Sequence, residues 1–558
     1  MLQGCTPWPD ELAARWKREG WWEGLTLWDM VARSVARCPD QTAIVAGDDG
    51  EFRQTYGEMD RAVARVAAGW LALGLKPLDR VVMQLPNTPE FVHHYLALVR
   101  IGAIPVMALR AHRLAELRHF VRASGAVAYV GPDAIKDFDY RPMAAQVQQE
   151  LPHLRHLVIV GEPGPGQVGH AALLERAGDD AAVAAALAEV AVDPAEVTTM
   201  LLSGGTTSMS KLISRTHEDY VLNARLCGAA AGFDASTVFM AILPLGHNYN
   251  LASPGMLATF YCGGTLVIAP STDTAAIFGA IERERVTVVA AVVPLIAGWL
   301  SSPEPQRFDT TSLRVIQNGG ARLAPELRQR LRERFPGCTP QEVYGTAEGL
   351  INMVRLDDAD DLVLESSGAP VCAVDEIRVV DDQDHELPDG EPGELLTRGP
   401  YTIRGYYNAA EKNREAFTPD GWYRMGDIVR KRGRYVYTEG RRKDLINRGG
   451  EKISCEEVEN LIFGHPAVKA VTLVAMPDPV FGEKACAFVI PKDGQTLTLP
   501  ELAAHLRAQG IASFKLPERL ELVDAFPTSP VGKIMKRELR ERIAAQVEQE
   551  TTQQEART

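Results

Sequence analysis

Short apolar runs alternate with amphipathic stretches along most of this chain. Apolar runs at Arg80 to Gln84, Val127 to Val130, Leu157 to Val160, Val197 to Leu202, Val238 to Leu243 and Thr265 to Ala269 predict buried strands. Stretches such as Tyr56 to Leu73, Pro89 to Ile101 and Ala111 to Ala123 carry helical spacing. This alternation predicts an α/β fold with mostly parallel sheets flanked by helices. Val286 to Leu300 is the longest apolar run, shorter than the ~20 residues a membrane span needs and interrupted by Pro294. It predicts a buried strand and a helix start. The Ala-rich stretch Asp179 to Val192 predicts a helix or helical linker, and shorter runs from Glu376 to Arg398 predict a small β-rich subdomain. Beyond Thr438 to Lys443 the chain restarts its own pattern: helix at Cys455 to Phe463, strands at Val468 to Ala475 and Ala485 to Pro491, helix at Pro500 to Gln509. That predicts a large domain over 1–440 and a small α+β domain over 444–558. The polar tail Gln546 to Thr558 reads as frayed.

With 558 residues, the chain is too long for one core. A net charge of −14 argues against a nucleic-acid partner, because phosphate contacts need a basic surface. The eight cysteines are scattered without C-x-x-C or zinc-like spacing and read as reduced thiols. The N-terminus carries no secretory pattern. A cytoplasmic protein without membrane segments is the expectation, as a monomer or homodimer.

The segment Ser203-Gly204-Gly205-Thr206-Thr207-Ser208-Met209-Ser210-Lys211 follows a predicted strand. Small residues can bring backbone N–H groups and hydroxyls around a polyphosphate, and a lysine adds charge. It is not a Walker A loop, and such turns are also common as plain surface structure. Further motifs follow in order: Asn318-Gly319-Gly320-Ala321, Tyr344-Gly345-Thr346-Ala347-Glu348, Tyr423-Arg424-Met425-Gly426-Asp427, Gly440-Arg441-Arg442-Lys443-Asp444 and Pro527-Thr528-Ser529-Pro530-Val531-Gly532-Lys533. Together they resemble the adenylate-forming superfamily of acyl-CoA synthetases, luciferases and peptide-synthetase adenylation domains.

The resemblance implies ATP and Mg²⁺ as co-reactants. Ser203, Gly204, Gly205, Thr206, Thr207 and Lys211 would hold phosphates; Gly319, Gly320 and Ala321 would lie along adenine. Tyr344 would stack on the base beside Gly345, Thr346 would bond the α-phosphate, and Glu348 would ligate Mg²⁺. Asp427 and Arg441 would hold the ribose. The implied catalytic set is Lys533, His247, Glu348 and Lys443. Lys533 would join the two anions during adenylation. Lys443 would lie in a hinge at 441–444 that swings the small domain for thioester formation.

The segment from Gly246 to Gly255 is similar to the stand-alone aryl acid–AMP ligases, typified by the 2,3-dihydroxybenzoate-activating enzymes of catechol siderophore pathways. There Asn248 would bond an ortho hydroxyl, Tyr249 would wall the ring and Ser253 would face a 3-hydroxyl, with Val343, Ile351 and Gly320 completing the pocket. Asn248 and Ser253 could also merely cap local turns. Departures from the group are Ser208 for glycine, Asn250 for proline, Ile351 for valine and Thr346 for methionine. The implied reaction is aryl-AMP formation, then transfer to the phosphopantetheine thiol of a separate aryl carrier protein. Alternatives are salicylate, 3-hydroxypicolinate or 3-hydroxyanthranilate as acid, free coenzyme A as acceptor, or a non-catalytic acyl-adenylate-binding protein.

Overall fold

The computed structural model describes residues 1–203, 210–441, 444–448, 451–509, 511–529 and 533–555. Among these, a nine-stranded sheet runs in the order Ala369–Pro370, Gly349–Met353, Thr339–Thr346, Val315–Gly319, Val288–Ala291, Val238–Ala241, Thr265–Ile268, Thr42–Ala46 and Phe52–Thr55. Its six central strands are parallel, and antiparallel strands close both edges. A seven-stranded sheet, from Leu212–Thr216 through Val197–Leu202 to Val168–Gly169, is parallel except at its first pair. Parallel strands need crossovers, and the predicted helices supply them: Tyr56–Ala72, Pro89–Arg100 and Leu114–Ser124. Strands and helices together bury one continuous apolar core between the two sheets.

The helix His217–Ala230 lies in that core. Thr216 caps it, and Asp219 reciprocates at the third position, so the terminal N–H groups are satisfied although buried. Arg215 lies at 0% exposure, bonded to Asp219 at 2.8 Å and to the carbonyls of Ala347 and Tyr401. A buried guanidinium needs this full set of acceptors.

The expected β-rich piece is a four-stranded antiparallel sheet of Glu376–Val380, Gly393–Arg398, Tyr423–Arg432 and Tyr435–Arg441. Residues after it build a five-stranded sheet with its own apolar core, including the helices Cys455–Phe463 and Leu499–Ala508. Of the tail expected to fray, residues 546–555 continue the helix Lys536–Glu555, whose upstream Leu539 and Ile543 are buried against Val474 and Phe488, and residues 556–558 lie outside the described residues. Two apolar anchors one turn apart hold a helix whose distal end reads as polar.

Candidate functional site

Four neighbouring parallel strands, Val238–Ala241, Val288–Ala291, Val315–Gly319 and Thr339–Thr346, end on the same side of the large sheet. In open α/β sheets, ligands bind outside the carboxyl ends of strands. The motifs at His247, Gly319 and Tyr344 sit at these ends, so distant stretches of sequence converge.

On one side lies a buried polar cluster. Asn248 is 6% exposed and Ser253 2%. Tyr220 O–H donates to Asn248 Oδ1 at 2.6 Å, and Asn248 Nδ2 donates to Ser253 Oγ at 3.2 Å. Asn223 Nδ2 donates to the Ala252 carbonyl at 2.7 Å and to Ser253 Oγ at 3.3 Å. A carbonyl can only accept, which fixes the Asn223 amide. Ser253 Oγ therefore receives two N–H donors, and its own proton is left for Cys227 Sγ, which it also faces, or for a ligand. Beside it, burial pushes the Cys227 thiol up to about 12. The Tyr249 ring closes the wall: a Cβ at Gly319 would come within 2.8 Å of Tyr249 Cζ. At Gly345 a Cβ would come within 2.3 Å of the Leu350 carbonyl oxygen and 2.7 Å of Ile351 Cδ1. Gly319 is thus a steric requirement of the Tyr249 ring, and Gly345 of the backbone at Leu350. Val343 and Ile351 are buried nearby, at 6% and 3% exposure.

His247 caps the short helix Asn248–Ala252, accepting from the Tyr249 N–H at 3.3 Å. Burial, reinforced by the Lys533 charge, lowers His247 to about 4, so the ring is neutral at pH 7. Asn250 donates to the Leu243 carbonyl at 2.7 Å, which closes the turn ahead of this helix.

On the other side, Tyr344 O–H donates to Asp427 Oδ2 at 2.8 Å, and Arg441 Nε meets Asp427 Oδ1 at 2.6 Å. Burial raises Asp427 while Arg441 opposes it. Asp427 and Arg441 are partners in the antiparallel register of two strands, which explains their pairing across fourteen residues of sequence. Glu348 Oε1 accepts from Tyr406 O–H at 2.8 Å, and Lys211 Nζ lies 4.1 Å from the Tyr406 ring centre. Thr346 Oγ1 donates to the Gly349 carbonyl at 2.9 Å, leaving its lone pairs rather than its proton for another partner. Ala321 O accepts from Asn318 at 2.7 Å, which holds the turn after the strand.

Lys533 reaches this centre from the last segment. A Cβ at Gly320, where φ is +85°, would come within 3.3 Å of Lys533 Cε. Ser203 and Lys211 pair across the glycine-rich segment: Ser203 N–H donates to the Lys211 carbonyl and Lys211 N–H to Ser203 Oγ, both at 2.9 Å. Gly204, Gly205, Thr206, Thr207, Ser208 and Lys443 lie outside the described residues. Tyr220, Asn223 and Tyr406 escaped sequence reasoning. The only local signal for the first two was a capped helix without an apolar stripe, whose polar groups had to be buried for another reason.

The AMP-binding enzyme family model matches residues 31–407, and the AMP-binding enzyme C-terminal domain model matches 457–533. The chain belongs to the AMP-binding enzyme family. It is 45% identical to a 2,3-dihydroxybenzoate-AMP ligase of Bacillus subtilis, over 98% of each chain. It is 43% identical to the salicyl-AMP ligase / salicyl-S-ArCP synthetase of Mycobacterium tuberculosis, over 96% of this chain and 94% of that one. Among solved structures, apo MbtA of Mycobacterium smegmatis superposes with a TM-score of 0.73 at 40% identity, over 96% of this chain and 98% of that one. No helix among the described residues is long and apolar enough to cross a membrane.

Proposed function

We propose that this protein is an aryl acid–AMP ligase that activates 2,3-dihydroxybenzoate with ATP and passes the aryl group to the phosphopantetheine thiol of a separate carrier protein. The observation that carries the choice of acid is the buried pair Asn248 and Ser253, linked at 3.2 Å beside the Tyr249 ring. Asn248 offers its remaining amide N–H to a hydroxyl ortho to the carboxylate, and Ser253 offers its proton to a 3-hydroxyl oxygen. A site built this way leaves buried polar groups unpaired when the hydroxyl is missing.

The acid carboxylate lies toward Gly320, under the Lys533 stem. Lys533 brings the carboxylate and the α-phosphate together, and its ammonium offsets the charge of both in the transition state. A carboxylate oxygen attacks the α-phosphorus, the bond to the β-phosphate bridging oxygen breaks, and pyrophosphate leaves. Neutral His247 can donate one ring N–H without adding charge. Asp427 accepts from the ribose hydroxyls, positioned by Tyr344 and Arg441. Lys211 and the segment Gly204 to Thr207 hold the outer phosphates, and the Thr346 hydroxyl donates to the α-phosphate by turning away from the Gly349 carbonyl.

Glu348 is a single oxygen-donor group already oriented by Tyr406. Mg²⁺ is typically held by one or two carboxylates plus substrate phosphates, so this donor set fits it. Bound there, the ion would neutralise the leaving pyrophosphate. On this reading Lys443, between the domains at 1–440 and 444–558, would serve as the hinge residue that allows the small domain to withdraw Lys533 before thioester formation.

Acid-dependent ATP–pyrophosphate exchange tests the assignment. kcat/KM should fall from 2,3-dihydroxybenzoate to salicylate to benzoate. A preference for salicylate, benzoate or a ring-nitrogen acid by more than ~10-fold, about 1.4 kcal/mol, removes the dihydroxybenzoate reading. Thioester assays with carrier protein and with free coenzyme A separate the two acceptors.

A further inference from the structure

Away from these strand ends, a second cavity of about 460 Å³ separates the N-terminal helix from the segment leading into the four-stranded sheet. That volume falls in the ~300–1,000 Å³ range of small-molecule sites. One wall is apolar and aromatic, built from Trp8, Leu12 and Trp16. It is fixed in place: Trp22 meets Trp8 and Trp16 edge-on, with centroids 5.3 and 5.0 Å apart, and its indole N–H donates to the Pro400 carbonyl at 3.0 Å.

Two buried polar groups lining this cavity lack a partner among the described residues. Trp8 Nε1–H, on a side chain 7% exposed, has no acceptor. Asp375 is 3% exposed; its Oδ2 accepts from Tyr401 O–H at 2.6 Å, while Oδ1 has no donor. Gly399 leaves that oxygen uncovered, since a Cβ there would stand 2.2 Å from it. Unsatisfied buried polar atoms are uncommon and costly, so two in one cavity point to a ligand.

The mouth is basic. Arg15 and Arg398 bond Glu19 and Glu376. Arg434 bonds the Cys372 carbonyl at 2.9 Å, and Arg404 the Gly421 carbonyl at 3.4 Å. Arg434 also faces the Asp375 carboxyl and Arg404 faces Asp420, but the lining sets Arg15, Arg398, Arg404 and Arg434 against Asp375 and Glu376, so positive charge is in excess to attract an anion.

We propose that this cavity is a second ligand site that takes a small hydroxylated aromatic carboxylate. The acid group meets Arg404 and Arg434, the ring lies against the two indoles, and the hydroxyl donates to Asp375 Oδ1 while accepting from Trp8. Guanidinium groups suit planar carboxylates, and indole faces suit aromatic rings. Tyr401 also receives the Ile351 N–H at 3.2 Å, so the cavity base is one tyrosine away from the acid pocket.

The proposal rests on the adenylation reading only for its blocking reagent. The full chain is saturated with a non-hydrolysable sulfamoyl analogue of the aryl adenylate, which fills the catalytic pocket, and salicylate is titrated by calorimetry. One further equivalent should bind with Kd below ~1 mM, the equivalent of about 4 kcal/mol. Benzoate, lacking the hydroxyl, should bind ~10-fold more weakly. Arg404→Gln should weaken binding at least ~10-fold, and Ala373→Trp, at an exposed lining residue, should abolish it. Pyrophosphate exchange by both variants should stay within ~2-fold of wild type, because neither residue touches the catalytic centre. Absence of saturable binding, or binding that both variants retain, overturns the proposal. If the adenylation reading itself fails, acid-dependent pyrophosphate exchange is missing, and the same variants are then compared without the analogue.

Discussion

Tyr220→Phe isolates one hydrogen bond in the proposed acid pocket. The hydroxyl donates to Asn248 Oδ1 at 2.6 Å, with Tyr220 at 0% exposure and Asn248 at 6%. Phenylalanine keeps the ring and its stacking under the Arg215 guanidinium, 4.7 Å from the ring centre. What disappears is the donor, which leaves a buried amide oxygen unsatisfied. That loss costs ~1–3 kcal/mol. At about 1.4 kcal/mol per decade, it corresponds to a ~5- to 150-fold effect. With only the 3.2 Å contact to Ser253 to orient it among the described residues, the Asn248 amide no longer presents its N–H to an ortho hydroxyl. The ratio of kcat/KM for 2,3-dihydroxybenzoate over benzoate should therefore fall by at least ~5-fold, with KM for ATP unchanged. Pyrophosphate exchange with both acids measures the ratio. In an Asn248→Ala background the same substitution should leave the ratio unaltered, because the group it orients is gone. An equal loss with both acids, or the same loss in the Asn248→Ala background, would refute a positioning role for Tyr220.

Lys533→Ala should abolish adenylation yet still transfer a preformed aryl adenylate to carrier thiol; pyrophosphate exchange within a few-fold of wild type would sink the assignment. Ser253→Cys should narrow the gap between salicylate and 2,3-dihydroxybenzoate, since a thiol is a weaker donor; an unchanged gap would remove Ser253 from the 3-hydroxyl contact. Glu456 faces Arg322 at 3.6 Å and Thr438 at 3.2 Å, with Glu459 and Glu342 nearby, and burial pushes its carboxyl up to about 7. A raised folded-state pKa means the folded state binds more protons, so this contribution is full below the ordinary carboxyl pKa and is lost as pH rises to about 7. Glu456→Gln mimics the protonated form, so its thermal midpoint should gain on wild type between pH ~4.5 and ~7 and hold that lead above it; a lead independent of pH would contradict the burial effect.

The amino-acid sequence determined the local elements. The run Val197 to Leu202 forms a strand with those bounds, and Cys455 to Phe463 a helix with those bounds, because side-chain periodicity depends on neighbours within a few residues. The motifs at Ser203, Gly319, Tyr344 and Asp427 were legible for the same reason: each is a short run with unusual chemistry. Family resemblance, read from their order along the chain, carried the roles expected of them. Tertiary structure alone decided which strand ends meet, since the large sheet places the strand Thr265–Ile268 between Val238–Ala241 and Thr42–Ala46 against chain order. Only there does it emerge that Gly319 must be small because the Tyr249 ring fills its Cβ position, seventy residues away in sequence. Tyr220 and Asn223 were invisible for the same reason. Nothing local distinguishes a buried tyrosine that orients an asparagine from one that fills space; the hydrogen bonds linking Tyr220 to Asn248 and Asn223 to Ser253 span 28 and 30 residues. The tail shows the limit from the other side: residues 546–555, read as frayed from their polar pattern, continue a helix anchored upstream by Leu539 and Ile543 against a sheet that the tail's own residues do not encode. Periodicity specifies what an element is; burial against distant partners specifies what its side chains are for.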